Sequence, residues 1–175
     1  MMKPTANPEI VLYDIDMLIS LMTDWPTWPT LDRVTRNAML EATLVHTRVL
    51  SDFFENRGNG DDVKVREFDF VAVESSPVLG RAVRDRVNKR LMHISAQRET
   101  LDRNWRRSCF LQLVSRCRAY LDWMSDKGHQ MVGLRESADK LVRALQAESS
   151  SHATTTTSPE VSYFPAKPGG RISTC

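Results

Sequence analysis

Apolar residues recur at helical spacing along most of this chain. Val11, Ile15, Leu18 and Met22 mark one face of a first helix. Asn7, Pro8 and Glu9 precede them as a cap, a first-turn proline and an acid at the positive end of the helix dipole. The prolines of "DWPTWPT" (24–30) break the pattern, and Trp25 and Trp28 are expected to plug the helix end. A long second helix is predicted over 31–56. On it Val34, Ala38, Ala42, Val45, Val49 and Phe53 form one stripe, and Met39, His46 and Leu50 a second. Two stripes place a helix against neighbours on more than one side, as in a bundle.

"GNGDD" (58–62) ends that helix, its two glycines supplying the left-handed conformations that helix ends use. Its acids suggest a metal only weakly, because no further ligand pattern accompanies them. The stretch "VKVREFDFVAV" (63–73) alternates in part like a strand. No second strand exists to pair with it, so an extended or irregular connection is expected. A third helix starts at Ser76 and Pro77, buries Leu79, Val83, Val87, Leu91 and Ile94, and continues towards Leu101. A fourth, over 104–125, places Phe110, Leu113, Val114, Cys117, Leu121 and Met124 inside. A fifth, over 130–147, uses Val132, Leu134, Leu141 and Leu145. From Glu148 onward Ser, Thr, Pro and Gly dominate. The chain thus reads as all-α: an antiparallel bundle of four to five helices over 1–147 and a disordered tail over 148–175.

At 175 residues there is room for one domain with a substantial core. No apolar run approaches the roughly 20 residues of a membrane span, and Glu9, Asp14 and Asp16 interrupt the N-terminal apolar stretch. Neither a signal peptide nor a membrane partner is expected. Cys109, Cys117 and Cys175 are too few and too scattered for a disulfide framework or a zinc site. A reducing cytoplasm is the expected compartment, with no cofactor and no metal.

Charge is polarised. Between Arg81 and Arg118 stand eleven Lys or Arg and only three acids, although the whole chain carries a net charge of +2. One reading is an anionic partner such as RNA, and the other is a basic segment paired with the acidic remainder. Within this segment lies "RDRVNKRLMH" (84–93). Arg86 and His93 are seven residues apart, hence about 20° apart around a helix and about 10.5 Å along it. Arg90 lies between them and Lys89 slightly to one side. Val87, Leu91 and Ile94 take the buried side, so this row lies beside the core, and replacing Arg86 or His93 should cost little more than about 1 kcal/mol.

The two side chains are too far apart to rely on a direct hydrogen bond, and a phosphate bridging them fits better. Histidine suits proton transfer near neutrality. Arginine holds phosphate in a bidentate fork and keeps its charge throughout. Together they suit RNA cleavage by its own 2′-hydroxyl without a metal. An arginine and a histidine also share a helix face by coincidence often, so spacing alone leaves both readings open.

The run "RVNKRLMH" resembles the signature of the HEPN superfamily: an arginine, four to six intervening residues and a histidine, on a late helix of a small α-helical bundle. "NKRLMHIS" followed by Arg98, and "LEATLVHTRVLSDFF" (40–54) followed by "DDV", are similar to the motif helix and preceding helix of one subgroup. The resemblance covers roughly residues 31–107. It implies an often dimeric helical bundle and, in many members, a metal-independent endoribonuclease of toxin–antitoxin, antiviral or RNA-processing systems. Arg86 and His93 match the catalytic pair, and the site would lie in a cleft at a homodimer interface. Asn88, Lys89 and Arg90 would hold flanking phosphates, with His46 and Arg48 as possible support, although His46 reads more readily as a partly buried structural histidine. A cognate antitoxin protein is a possible further partner. One position departs: Val87 follows the arginine, where the family usually has a polar residue.

The surplus apolar face of the second helix independently suggests a dimer. Trp105 and Trp123 are expected in the core or at its rim, with base stacking as the alternative. A non-catalytic module of the same fold is the rival reading. A DNA-binding regulator lacks a compact helix-turn-helix pattern.

Overall fold

A computed structural model of the chain describes residues 7–60, 62–71, 77–92 and 105–154, without the side chains of Arg90, Met92 and residues 152–154. Among these residues there are five α-helices and no strand. Helix α1 spans Leu12–Asp24, α2 Arg33–Phe54, α3 Arg81–Met92, α4 Leu111–Asp126 and α5 Val132–Thr154. Helices α1 and α2 form an antiparallel hairpin, as do α4 and α5; α5 also packs on α1, and α2 on α4. Helix α3 lies against α2.

Local chemistry sets the boundaries. The Asn7 side chain accepts from the Glu9 N–H at 3.0 Å, opening a 3-10 turn over Pro8–Val11 that leads into α1. The two prolines turn Trp25–Thr30 into a second 3-10 segment. There Trp25 stacks on Trp28 at 4.5 Å, and Trp28 is buried, which is the plug expected of it. Asp32 caps α2 by accepting from the N–H groups of Val34 and Thr35 at 2.9 and 3.0 Å. Both α2 and α4 end in a left-handed residue that lets the next N–H reach back five residues. At α4 that residue is Gly128 (φ 93°), with His129 N donating to Met124 O at 3.1 Å.

At α2 it is Asn56 (φ 57°), with Arg57 N donating to Asp52 O at 2.8 Å. This corrects the expectation that two glycines supply the turn. Gly58 (φ 98°) takes a later left-handed position, where a Cβ would collide with the Asp62 carboxylate. Gly60 has no positive φ.

The core centres on α4. Phe110, Leu113, Val114, Cys117, Leu121 and Met124 are fully buried, as the periodicity predicts. Tyr120 joins them. Its ring meets Phe53, Phe54, Phe70 and Trp123 at 5.3 to 5.9 Å, and its hydroxyl donates to the Pro8 carbonyl at 2.8 Å. Among its described residues, the stretch after α2 is irregular apart from a 3-10 turn over Val65–Glu67. Its alternation still acts: Phe68 and Phe70 pack on the core, while exposed Asp69 accepts from Lys127 Nζ at 2.6 Å.

Three expectations need correction. The face of α2 traced by Val34, Val45 and Val49 is exposed, at 73, 45 and 43%, and Ala38 is exposed with it. The buried face keeps His46 and Leu50 of the second expected stripe and Phe53 of the first, and adds Leu40, Thr43, Leu44, Thr47, Ser51 and Phe54. Small hydroxyl residues can line a core when they bond their own helix: Thr43 Oγ1 donates to Met39 O, and Ser51 Oγ to Arg48 O, both at 2.9 Å. On α5, Val132 is exposed, and Ala138 takes the buried place with Leu141 and Leu145. Finally, α5 continues past 147 to Thr154. Ser149 and Ser150 bond back to carbonyls four residues earlier, so serines placed in the tail extend the helix. The rest of the expected tail, 155–175, lies outside the described residues, as does the helix expected over 93–101.

Candidate functional site

The segment leading into α3 is anchored before its basic row begins. Val78 and Leu79 are buried, and the Val78 N–H donates to Glu55 Oε1 at 3.1 Å. Helix α3 then turns Val83 and Val87 into the core. Val87, at 1% exposure, sits where a polar side chain would meet apolar neighbours, which explains the apolar residue after the arginine.

Arg84 is the largest surprise on this helix. Its guanidinium forms a short ion pair with Glu55, the residue capping the end of α2, and Arg57 Nε reaches the same carboxylate at 3.0 Å. The Arg84 and Glu55 side chains are only 14 and 11% exposed. An acid at the negative end of a helix is unfavourable alone, so Glu55 needs these cations. That mismatch was the sequence signal for the pair.

Arg86 lies half-buried on α3, with its guanidinium carbon 4.1 Å from the centroid of the Trp105 ring. Trp105 stacks in turn with Phe110 at 5.8 Å and 18° between planes. Arg86 thus stands beside the core, and an aromatic contact ties it to the residues just before α4. Trp105 is a rim residue in this arrangement, and Trp123 packs among Phe68, Phe70 and Tyr120. Asn88 is half-buried and Lys89 exposed. The Arg90 side chain and all of His93 lie outside the described residues.

The two supporting candidates sit on α2, each beside an acid. His46 Nδ1 lies 2.7 Å from Asp14 Oδ1, and its ring meets the edge of Tyr13 at 5.7 Å. Both partners belong to α1, so His46 serves the α1–α2 hairpin. Arg48 Nε is 3.8 Å from Asp52 Oδ2, one turn later on the same helix.

The basic segment is neutralised in part by acids from elsewhere in the chain. Besides Arg84, Arg107, in the 3-10 turn that precedes α4, donates to Glu148 Oε1 at 2.6 Å and to the Met22 carbonyl at 3.1 Å, joining that turn to α5 and α1. Arg118 pairs with Asp122 at 2.7 Å and Asp139 at 2.8 Å. Arg135 adds a bond to Asp122 at 2.8 Å across the same seam. The acids that meet these three arginines all lie outside the basic segment. Arg81, Lys89 and Arg106 of that segment are exposed.

Among the described residues, no cluster of three or more His, Cys, Asp or Glu could hold a metal. No helix among them is long and apolar enough to cross a membrane. Full burial raises the Cys117 thiol far above its ordinary pKa, which leaves it protonated and chemically quiet. No family model, curated protein or solved structure matches the chain.

Proposed function

We propose that this chain is a HEPN-like domain that binds RNA along the outward face of α3 and cleaves it by attack of the RNA's own 2′-hydroxyl. The observation that carries the reading is the register of α3. With Val83 and Val87 turned inward, Lys89 is exposed and Arg86 occupies the intervening boundary, as a phosphate-binding row requires. Arg86 stabilises the charged phosphorane, and His93, about two turns further in sequence, transfers the proton. Asn88, Lys89 and Arg90 hold flanking phosphates. A homodimer completes the site. Exposed Val45 and Val49 on α2, with Ile10 and Tyr13 near the start of α1, support such an association. Its setting is the cytoplasm, with an antitoxin-like protein as regulator.

A second reading has its own support. Because Arg84, Arg107 and Arg118 are engaged by acids of the same chain, the local surplus of positive charge is smaller at the surface than in the sequence. This favours a non-catalytic interaction module. Purified protein incubated with diverse RNAs in EDTA separates the two. The catalytic reading expects cleavage leaving 2′,3′-cyclic phosphate ends, abolished in His93→Ala while RNA binding stays nearly intact. A folded wild type without cleavage on any RNA would leave the module reading in its place.

A further inference from the structure

We propose that the hollow between the start of α1 and the C-terminal end of α2 docks an amphipathic helix of a second protein, one that carries lysine or arginine beside its apolar residues. The inference goes beyond the RNA reading and does not rest on it. The hollow has a volume of about 360 Å³. That is near the small end of ligand-sized cavities, and it suits the one or two anchoring side chains that a docked helix inserts. Val11 and Phe53, both buried, line it together with exposed Ile10 and Val49. Exposed apolar side chains at a concavity with a polar rim mark an interaction site.

That rim is acidic. Asp14 of α1, Asp52 of α2 and Asp62 of the following loop line the hollow beside Arg57, whose Nε is held by Glu55 at 3.0 Å. Each carboxylate uses at most one oxygen within the chain. Asp14 Oδ1 meets His46, Asp62 Oδ2 accepts from the Asn59 N–H, and Arg48 stays 3.8 Å from Asp52 Oδ2. A carboxylate accepts on both oxygens, so the second oxygen of each remains for a cation. Backbone charge acts in the same direction: Val49 and Asp52 lie in the last two turns of α2, at the negative end of its dipole, and its last turn has no basic residue. Residues 7–32, which supply the opposite wall, hold five acids and no lysine or arginine. These charges decide between occupants. A second copy paired by two-fold symmetry about the hollow would set the same carboxylates against themselves. The face offered to a second copy therefore centres on Val45, one turn before Val49 and outside the hollow, which is left for a basic partner.

The probe is a labelled amphipathic peptide with leucines at helical spacing and lysines elsewhere, and its control has glutamates in place of the lysines. Fluorescence anisotropy on the full chain should show the lysine peptide binding at least roughly tenfold tighter than the control, with an affinity that falls as salt rises. Asp52→Asn should weaken the lysine peptide several-fold and spare the control. Val49→Arg, which brings a cation to the hollow from within the chain, should abolish lysine-peptide binding, whereas Val45→Gln should leave it unchanged. Circular dichroism checks the fold of each variant, and should Val49→Arg fail to fold, Ile10→Arg on the opposite wall carries the same outcomes. Equal binding of the two peptides would reveal apolar adhesion alone, and lysine-peptide binding that survives Val49→Arg would place the contact elsewhere; either overturns the inference. A folded wild type that binds neither peptide also overturns it. If, in that case, sedimentation shows self-association that Val49→Arg and Asp52→Asn abolish, the occupant is a second copy.

Discussion

Helix α4 buries Phe110 at its entrance and then Leu113, Val114, Cys117, Tyr120, Leu121 and Met124 along its length, all at 0% exposure. Helix α3 has two fully turned-in side chains among those described, Val83 and Val87, and relies on Arg84 against Glu55 and Arg86 over Trp105 for much of its hold. The difference lies in how each attachment responds to perturbation. Apolar packing is non-directional and spread over many atoms, so α4 loses stability in proportion to volume removed. A half-buried ion pair and a cation over a ring depend on one partner's presence and orientation. The element proposed to meet RNA is thus the one whose position is set by a few polar contacts.

Truncation at the entrance of α4 should have the largest effect. Phe110 touches both Trp25 and Trp105, so Phe110→Ala removes a packing centre from the α1–α2 turn and from the Arg86 support at once. A loss of about 4 kcal/mol is expected, read as an early chemical-denaturation midpoint. A loss below about 1 kcal/mol would mean that the site collapses around the gap and that α4 is not the rigid member of the comparison.

Next comes Glu55→Ala, which leaves Arg84 without its carboxylate and the Val78 N–H without its acceptor. Here about 3 kcal/mol is expected, and its distribution matters more than its size. Hydrogen exchange should accelerate across α3 well before it does across α4, because the lost contacts lie on α3's side of α2. Equal acceleration in both helices would show that α3 and α4 open as one unit.

The smallest change sharpens the apolar side. The Thr47 hydroxyl on α2 is fully buried and has no hydrogen-bond partner among the described residues. Thr47→Val replaces it with a methyl of nearly the same size, so thermal unfolding should shift upward, corresponding to about 1 kcal/mol. A downward shift would reveal that the hydroxyl is satisfied after all.

Much of this architecture was legible in the residues. Asn7–Pro8, the Trp–Pro repeat and Gly128 each act locally, and each marks the break expected of it. The α4 stripe was legible because large aliphatic residues at helical spacing have one economical solution. On α2 the same method placed His46, Leu50 and Phe53 correctly but missed most of the buried face. Thr43, Thr47 and Ser51 count as polar in any hydropathy pattern, while Val34, Val45 and Val49 count as core. Only the packed neighbours decide that short hydroxyl side chains fit the α1 and α4 surfaces. The serines of 149–151 misled in the same direction, because a composition that suits a tail also tolerates a helix whose register α4 and Arg107 already fix.

The candidate site divides the same way. Helical periodicity makes residues 84–90 a basic helical stretch, turns Val83 and Val87 inward and sets Arg86 beside that stripe, because it relates residues within one or two turns. It could not determine what the guanidiniums meet. Glu55 lies 29 residues before Arg84, Trp105 lies 19 after Arg86, and Glu148 lies 41 after Arg107. Nothing in local geometry brings such partners together. Only the docking of α3 on α2, and of α5 on α1 and α4, separated the arginines committed to ion pairs from those left at the surface, because charges pair by proximity in space and the chain reaches that proximity only when its apolar faces are buried.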